Sequence, residues 1–164
     1  MTMQGKKQLN RETTIGAPPD LVYRLFMDNA ELANWAPVVD RVIKETGGDE
    51  TGLGTIRTCD VTMQGKRGTM VEECVEAVAD SRASFRVVDD SFGFQRMLRD
   101  YGFTAHFTNT VRGTLVRIET FYTPTNILWA TMNALFVRRK FRGIVDELLE
   151  GLRDLAQQRH AAAT

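Results

Sequence analysis

Apolar and polar positions between Gln8 and Ile15 alternate with the period of a strand that buries one face. After "GAPPD" the period changes: Leu21, Val22, Leu25 and Phe26 recur at helical spacing, Pro19 suits a first helical turn and Asp20 suits its positive end. This helix is expected to stop near Asp28. Asn29 is then expected to cap a shorter helix, in which Leu32 and Trp35 share a face before Pro37 forbids continuation. From Val38 to Tyr122 the chain reads as strand after strand, rich in Val, Thr and Phe and broken at Gly47-Gly48, Gly65 to Gly68, Ala79-Asp80, Asp89-Asp90 and Arg112-Gly113. Beyond Pro124 a helix is expected to run to about Arg159, roughly 50 Å at the usual rise, with Gly143 as a point of bending. Its stripe is Leu128, Met132 and Leu135, then Phe141, Val145, Leu148, Leu152 and Leu155.

These elements predict an α+β fold: a seven-stranded curved antiparallel sheet wrapped around a long C-terminal helix, with two short helices after strand 1. A chain of 164 residues without repeats or linkers is read as a single domain over residues 7–160, with residues 1–6 and 161–164 as flexible ends. The 21 basic and 21 acidic residues cancel, which argues against nucleic acid as a partner. No apolar run has the length of a membrane span, and Met1 to Arg11 is too polar for a signal peptide, so a cytoplasmic location is expected. Cys59 and Cys74 lack metal-ligand spacing and are read as reduced, buried thiols.

A hairpin closed by "QGKRG" can set Met63 opposite Thr69, Val61 opposite Val71 and Cys59 opposite Glu73, all on one face; a one-residue slip would reverse the second strand. With Phe85, Val87, Tyr101, Phe103, Ala105 and Phe107 these residues form an inward set, to which the helix adds Leu128, Met132, Leu135 and Phe136. The same pattern fits a filled core and a small-molecule pocket.

The order strand, two helices, six strands, long helix resembles the START-like superfamily, also called SRPBCC, with its helix-grip fold. The stretches that carry the resemblance are "TTIGAPPDLVYRLFMDNAELANWAPVV", "GLGTIR", "GTMVEECVEAV" and "GTLVRIETFYTP". Within the superfamily the chain is most similar to the polyketide cyclase and dehydrase-like group. The resemblance implies a cavity between sheet and helix for an apolar or aromatic molecule. It does not imply catalysis, because the superfamily mixes cyclases, hydroxylase domains, lipid carriers and hormone receptors.

Glu73, set inside between Val71 and Val75, needs a partner or a proton. Arg57 lies on the same face, so the two either form an ion pair between strands or serve as polar anchors. As anchors, Arg57 would grip a carboxylate or phenolate and Glu73 would accept from a ligand hydroxyl. Some hormone-receptor members similarly place a Glu on this strand in the ligand site, and the same comparison would turn Glu119 inward, whereas apolar content favours Val116, Ile118, Thr120 and Tyr122. Tyr101 offers a ring to stack and a hydroxyl to donate, or is a core tyrosine whose hydroxyl reaches the surface. His106 falls on the solvent face and His160 near the end, so neither supports a triad or a metal site, and no cofactor is expected.

Trp35 reads as a core plug or as one wall of a pocket mouth, and the second is preferred. "DDSFGFQRML" either lines the entrance beside it or extends the flanking strands. "VRRKFR", Val137 to Arg142, suits transient contact with an anionic lipid surface, and equally a solvated face, since Asp146, Glu147 and Glu150 follow. The expected binding set is Trp35, Arg57, Cys59, Val61, Val71, Glu73, Phe85, Val87, Tyr101, Phe103, Leu128, Met132 and Leu135, with Arg57, Glu73 and Tyr101 the candidates for any catalysis. The resulting expectation is a carrier or sensor of a hydrophobic small molecule such as a lipid, isoprenoid or polyketide-like metabolite. The alternatives are a polyketide aromatase/cyclase-like enzyme and a partner-binding module with a packed interior. Neither oligomeric state nor ligand identity is legible.

Overall fold

A computed structural model describes residues 3–164. Strand β1 (Lys7–Ile15) is followed by helices α1 (Pro19–Met27) and α2 (Leu32–Trp35). Strands β2 (Val39–Thr46), β3 (Ile56–Met63), β4 (Lys66–Val78) and β5 (Arg82–Asp90) follow, then a helical turn α3 (Phe94–Met97) and strands β6 (Leu98–Thr110) and β7 (Gly113–Pro124). The chain ends in α4 (Ile127–Met132), a π-helical turn (Asn133–Val137) and α5 (Arg138–Ala163), which run on as one rod. The seven strands form one antiparallel sheet in the order β1-β7-β6-β5-β4-β3-β2. This is the helix-grip layout, with α1, α2 and α5 on the inner face. The expected frayed start falls partly on residues 1 and 2, which lie outside the described residues. Lys6 already bonds β7, its carbonyl accepting from the Tyr122 N–H at 3.0 Å, and α5 continues past Arg159 to Ala163.

Phe26, the last apolar residue of the α1 stripe, is 2% exposed and lies within 5.3–6.5 Å of the rings of Trp35, Phe85, Phe103 and Phe107. Truncating such a side chain costs about 3–5 kcal/mol. Trp35 stacks on it, and its indole N–H donates to the Leu25 carbonyl at 3.2 Å, satisfying one of the acceptors left open at the end of α1. Where Pro37 stops α2, the Trp35 carbonyl sits against Gly151 of α5 so closely that a Cβ there would lie 1.9 Å from the oxygen. A short helix, its terminal proline and a glycine in the long helix therefore form one joint. Asn29 does not cap α2, whose first residue has no side-chain cap; its side chain turns to Arg57 instead.

The β3–β4 hairpin is tighter than the sequence suggests. Gln64 (φ 52°) and Gly65 (φ 78°) alone make the turn, a pair of left-handed residues matched to strand twist. Met63 therefore pairs with Lys66, Val61 with Gly68, Cys59 with Met70 and Arg57 with Glu72. Relative to a loop over Gly65 to Gly68 the register moves by an odd number of residues, which turns β4 over: Met70, Glu72 and Cys74 face inward, while Val71, Glu73 and Val75 face out.

Before Phe141 the helix is also phased differently from the expected stripe. Phe141, Val145, Leu149, Leu152 and Ala156 are buried, and the inward line continues upstream through Val137 to Asn133. Asn133 is 7% exposed; its Oδ1 accepts from the Tyr122 hydroxyl at 2.5 Å and its Nδ2 donates to Gln8 Oε1 at 3.2 Å. A polar residue at this inward position interrupts the apolar pattern, so the eye follows Leu128 and Leu135, which are 65% and 61% exposed. The irregularity of the rod lies in the π turn at Asn133–Val137, not at Gly143.

"DDSFGFQRML" extends both flanking strands and folds α3 between them. Asp90 holds the turn, accepting from the backbone N–H groups of Phe92, Phe94 and Gln95. Phe94 packs edge-on against Phe141 and Tyr101, closing that end of the core.

Candidate ligand-binding site

Between the inner sheet face, α2 and α5 lies a cavity of about 100 Å³. Trp35 and Phe26 close one side, Cys59, Val61 and Met70 of the β3–β4 pair another, and Phe141, Val145 and Leu148 form the helix wall. Tyr101, Phe103, Ile118 and Thr120 complete it from β6 and β7. A void of this size is somewhat smaller than an engineered cavity of about 150 Å³ that admits benzene, and below the roughly 300–1,000 Å³ of drug-sized pockets.

Its polar corner is built from three elements. Arg57, 4% exposed, reaches Glu72 with Nε at 2.8 Å and Nη2 at 2.7 Å, and donates from Nη1 to Asn29 Oδ1 at 3.0 Å. The guanidinium lies 4.2 Å from the Phe85 ring centroid, a cation–π stack that covers its face. The charge is thus neutralised and its hydrogen-bonding positions are largely occupied. The expected ion pair exists, with Glu72 in place of Glu73. Glu73 pairs instead with Arg86 on the outer face of the sheet.

Two hydroxyls on the cavity wall stand apart. The Tyr101 ring is stacked on Phe141 at 5.4 Å and lines the cavity. Burial first, and then the nearby Glu72 carboxylate, hold this phenol above its ordinary pKa, so it stays protonated and able to donate. Thr120, 3% exposed and paired with Phe103 across β6 and β7, has a buried Oγ1 that no described residue satisfies. Unsatisfied buried hydroxyls are uncommon enough to ask for a partner.

Of the residues expected at the site, Trp35, Arg57, Cys59, Val61, Tyr101 and Phe103 line the cavity. Phe85 and Val87 are buried in the core beside it, at 3% and 4% exposure. Val71 and Glu73 are on the opposite face because the tight turn inverts β4, and Leu128, Met132 and Leu135 lie off the cavity because Asn133 and Val137 take the inward line. Trp35 is an inner wall rather than the mouth. The rim is formed by Val38, Met63 and Ile144, which border both the cavity and an open groove of about 680 Å³ under Leu135, Phe136, Arg139 and Lys140. Outside the expected binding set were Glu72 and Met70, which a two-residue "QG" turn would have revealed, Phe141, which was already in the helix stripe, and Ile144, four residues before Leu148 of that stripe.

Cys59 and Cys74 are free and buried. Burial pushes the Cys59 thiol up to about 11, so it contributes an apolar sulfur to the wall and not a thiolate. His106 is on the outer face beside Glu119, which is not in solvent but buried under Lys7 and His106, and not in the cavity.

The family described as polyketide cyclase / dehydrase and lipid transport matches residues 6–157. The chain belongs to this family. Its fold is shared with a START superfamily protein from Mycobacterium smegmatis, at 11% identity, with a TM-score of 0.73 over 95% of this chain and 98% of that one. A protein from Thermus thermophilus is 25% identical, with a TM-score of 0.65 over 95% of this chain and 98% of that one. The di-domain ARO/CYC StfQ from the steffimycin biosynthetic pathway shares the fold at 13% identity and a TM-score of 0.71, 92% of this chain covering 50% of that one. No curated protein matches. Family membership accounts for the sheet and the long helix packed against it.

Proposed function

We propose that the protein binds an uncharged hydrophobic small molecule in the cavity, as a carrier or sensor. The observation that carries this reading is the buried, unpartnered Thr120 hydroxyl, which shares with the Tyr101 phenol a wall that is apolar outside the Arg57–Glu72 corner. Arg57 is already neutralised by Glu72, so an anion would bring a second negative charge to a desolvated corner that has no free cation to meet it. A ligand with a carbonyl, ether or hydroxyl oxygen at one end and hydrocarbon elsewhere fits both hydroxyls and walls. A molecule of one ring or more requires the walls to give, with Val38, Met63 and Ile144 parting.

A polyketide aromatase/cyclase-like role is the second reading. It is supported by a protonated Tyr101 close to Glu72, an arrangement able to polarise a carbonyl. The cavity volume speaks against it, because a folded poly-β-keto chain needs several times this space. A partner-binding module with a packed interior is disfavoured by the cavity itself.

The test is to expose the protein to a cell extract, recover retained molecules by mass spectrometry and compare Tyr101→Phe and Thr120→Val. A neutral, unmodified ligand whose retention falls about tenfold in either variant supports the carrier; one hydrogen bond is worth about that much in a buried site. Retention of nothing, or of an anion held equally by both variants, overturns it.

A further inference from the structure

Between Glu119 and Asp146 the chain has four basic residues, Arg138, Arg139, Lys140 and Arg142, and no acidic one, although its overall charge is zero. In the same stretch Ile127, Leu128, Leu135 and Phe136 are 87%, 65%, 61% and 53% exposed. Single exposed apolar residues need no explanation, but four on one rod beside four cations do. Leu135, Phe136, Arg139 and Lys140 line one groove, whose opposite wall is Pro37, Val38, Met63 and Gln64. Lys66 and Arg67 follow at the hairpin tip, and Glu147 at the far end of the groove marks where the basic surface stops.

We propose that this face, from α4 through the first turn of α5, docks on an anionic lipid surface. Leu135 and Phe136 enter the acyl boundary, and Arg139, Lys140 and Arg142 meet the headgroups. Charge complementarity selects this occupant. A second copy of the chain would set the same cations against each other across a two-fold interface. Docking also places the groove against the bilayer, with the Val38, Met63 and Ile144 rim at its floor, so an apolar molecule passes from lipid to cavity without crossing water. The route rests on the ligand-binding reading above; the docking does not.

The experiment is sedimentation of the full chain with vesicles of phosphatidylcholine alone and of phosphatidylcholine containing about one third phosphatidylglycerol. Binding is expected to the anionic vesicles only and to fall as salt is raised. Reversing Arg139 and Lys140 to Glu is expected to weaken it at least about twenty-five-fold, from about fivefold per charge near the surface. Leu135→Ser with Phe136→Ser is expected to weaken it at least about tenfold through lost apolar insertion. Arg112→Glu, on the distant β6–β7 turn, changes net charge without touching the face and is expected to bind as the parent does. Circular dichroism checks that all variants fold. Equal binding to both vesicle types, no binding to either, or equal losses in Arg112→Glu would overturn the proposal. So would a dimer, seen by light scattering, that the Leu135/Phe136 variant dissolves while vesicles stay unbound. Because no cavity residue is altered, a protein that retains ligand from extract but ignores vesicles fails this proposal alone.

Discussion

Arg57 and Glu72 face each other across β3 and β4 at 2.7 Å, with 4% and 12% of their side chains exposed, whereas the neighbouring Glu73 points out of the domain to Arg86. Removing Glu72 strands a desolvated cation, and Glu72→Ala is expected to cost about 3 kcal/mol or more. Glu73→Ala breaks a pair that is 41% and 29% exposed and screened by solvent, so it is expected to cost at most about 1 kcal/mol. Urea unfolding of the two variants checks the register of the hairpin directly; equal losses would contradict it.

Gly151 and Gly143 sit in the same helix and should respond in opposite directions. A methyl group at Gly151 meets the Trp35 carbonyl at 1.9 Å and forces α2 off α5, so Gly151→Ala is expected to destabilise by about 1–3 kcal/mol. Nothing lies within 4 Å of a Cβ at Gly143, and Gly143→Ala is expected to stabilise by about 0.5–1 kcal/mol through helix propensity. Thermal denaturation distinguishes the signs.

Glu119 contributes a pH dependence on the acid side. Burial pushes its carboxyl up, but hydrogen bonds from Lys7 and His106, with their charges, outweigh burial, and the net result is below the ordinary value. A carboxyl depressed in the folded state adds stability that is complete above its unfolded value of about 4.3 and disappears as pH falls through the folded one. Glu119→Gln is therefore expected to flatten the stability profile below about pH 4.5, with the parent and variant curves converging in acid. A profile that keeps its full acid slope in the variant would assign the slope to other carboxyls.

Trp35 borders the cavity and Trp129 lies outside it. In a Trp129→Phe background, filling the cavity with a neutral aromatic probe is expected to shift or quench Trp35 emission, and Thr120→Val is expected to weaken that response. Emission that ignores every probe retained by the protein would remove Trp35 from the wall.

The inner faces of β6 and β7 were legible because their alternation is backed by apolar content: Phe103, Ala105 and Phe107 stand opposite Thr120, Ile118 and Val116 in the structure. β4 was not, because Met70, Glu72 and Cys74 are no more apolar than Val71, Glu73 and Val75, so its pattern supports either orientation. The helix stripe was legible from Phe141 onward and lost before it, where a buried Asn133 supplies hydrogen bonds to Tyr122 and Gln8 in place of apolar burial.

The sequence by itself determined the main elements and their order, since these follow from periodicity, breakers and length, which are local properties, while its longer motifs carried the resemblance to the family and its helix-grip fold. Only the tertiary structure decided which carboxylate meets Arg57, where the cavity opens and which part of the long helix grips the sheet. Each depends on a choice of phase: a strand or helix pattern defines faces, but a two-residue turn at Gln64-Gly65 and a π turn at Asn133–Val137 decide which face is turned inward.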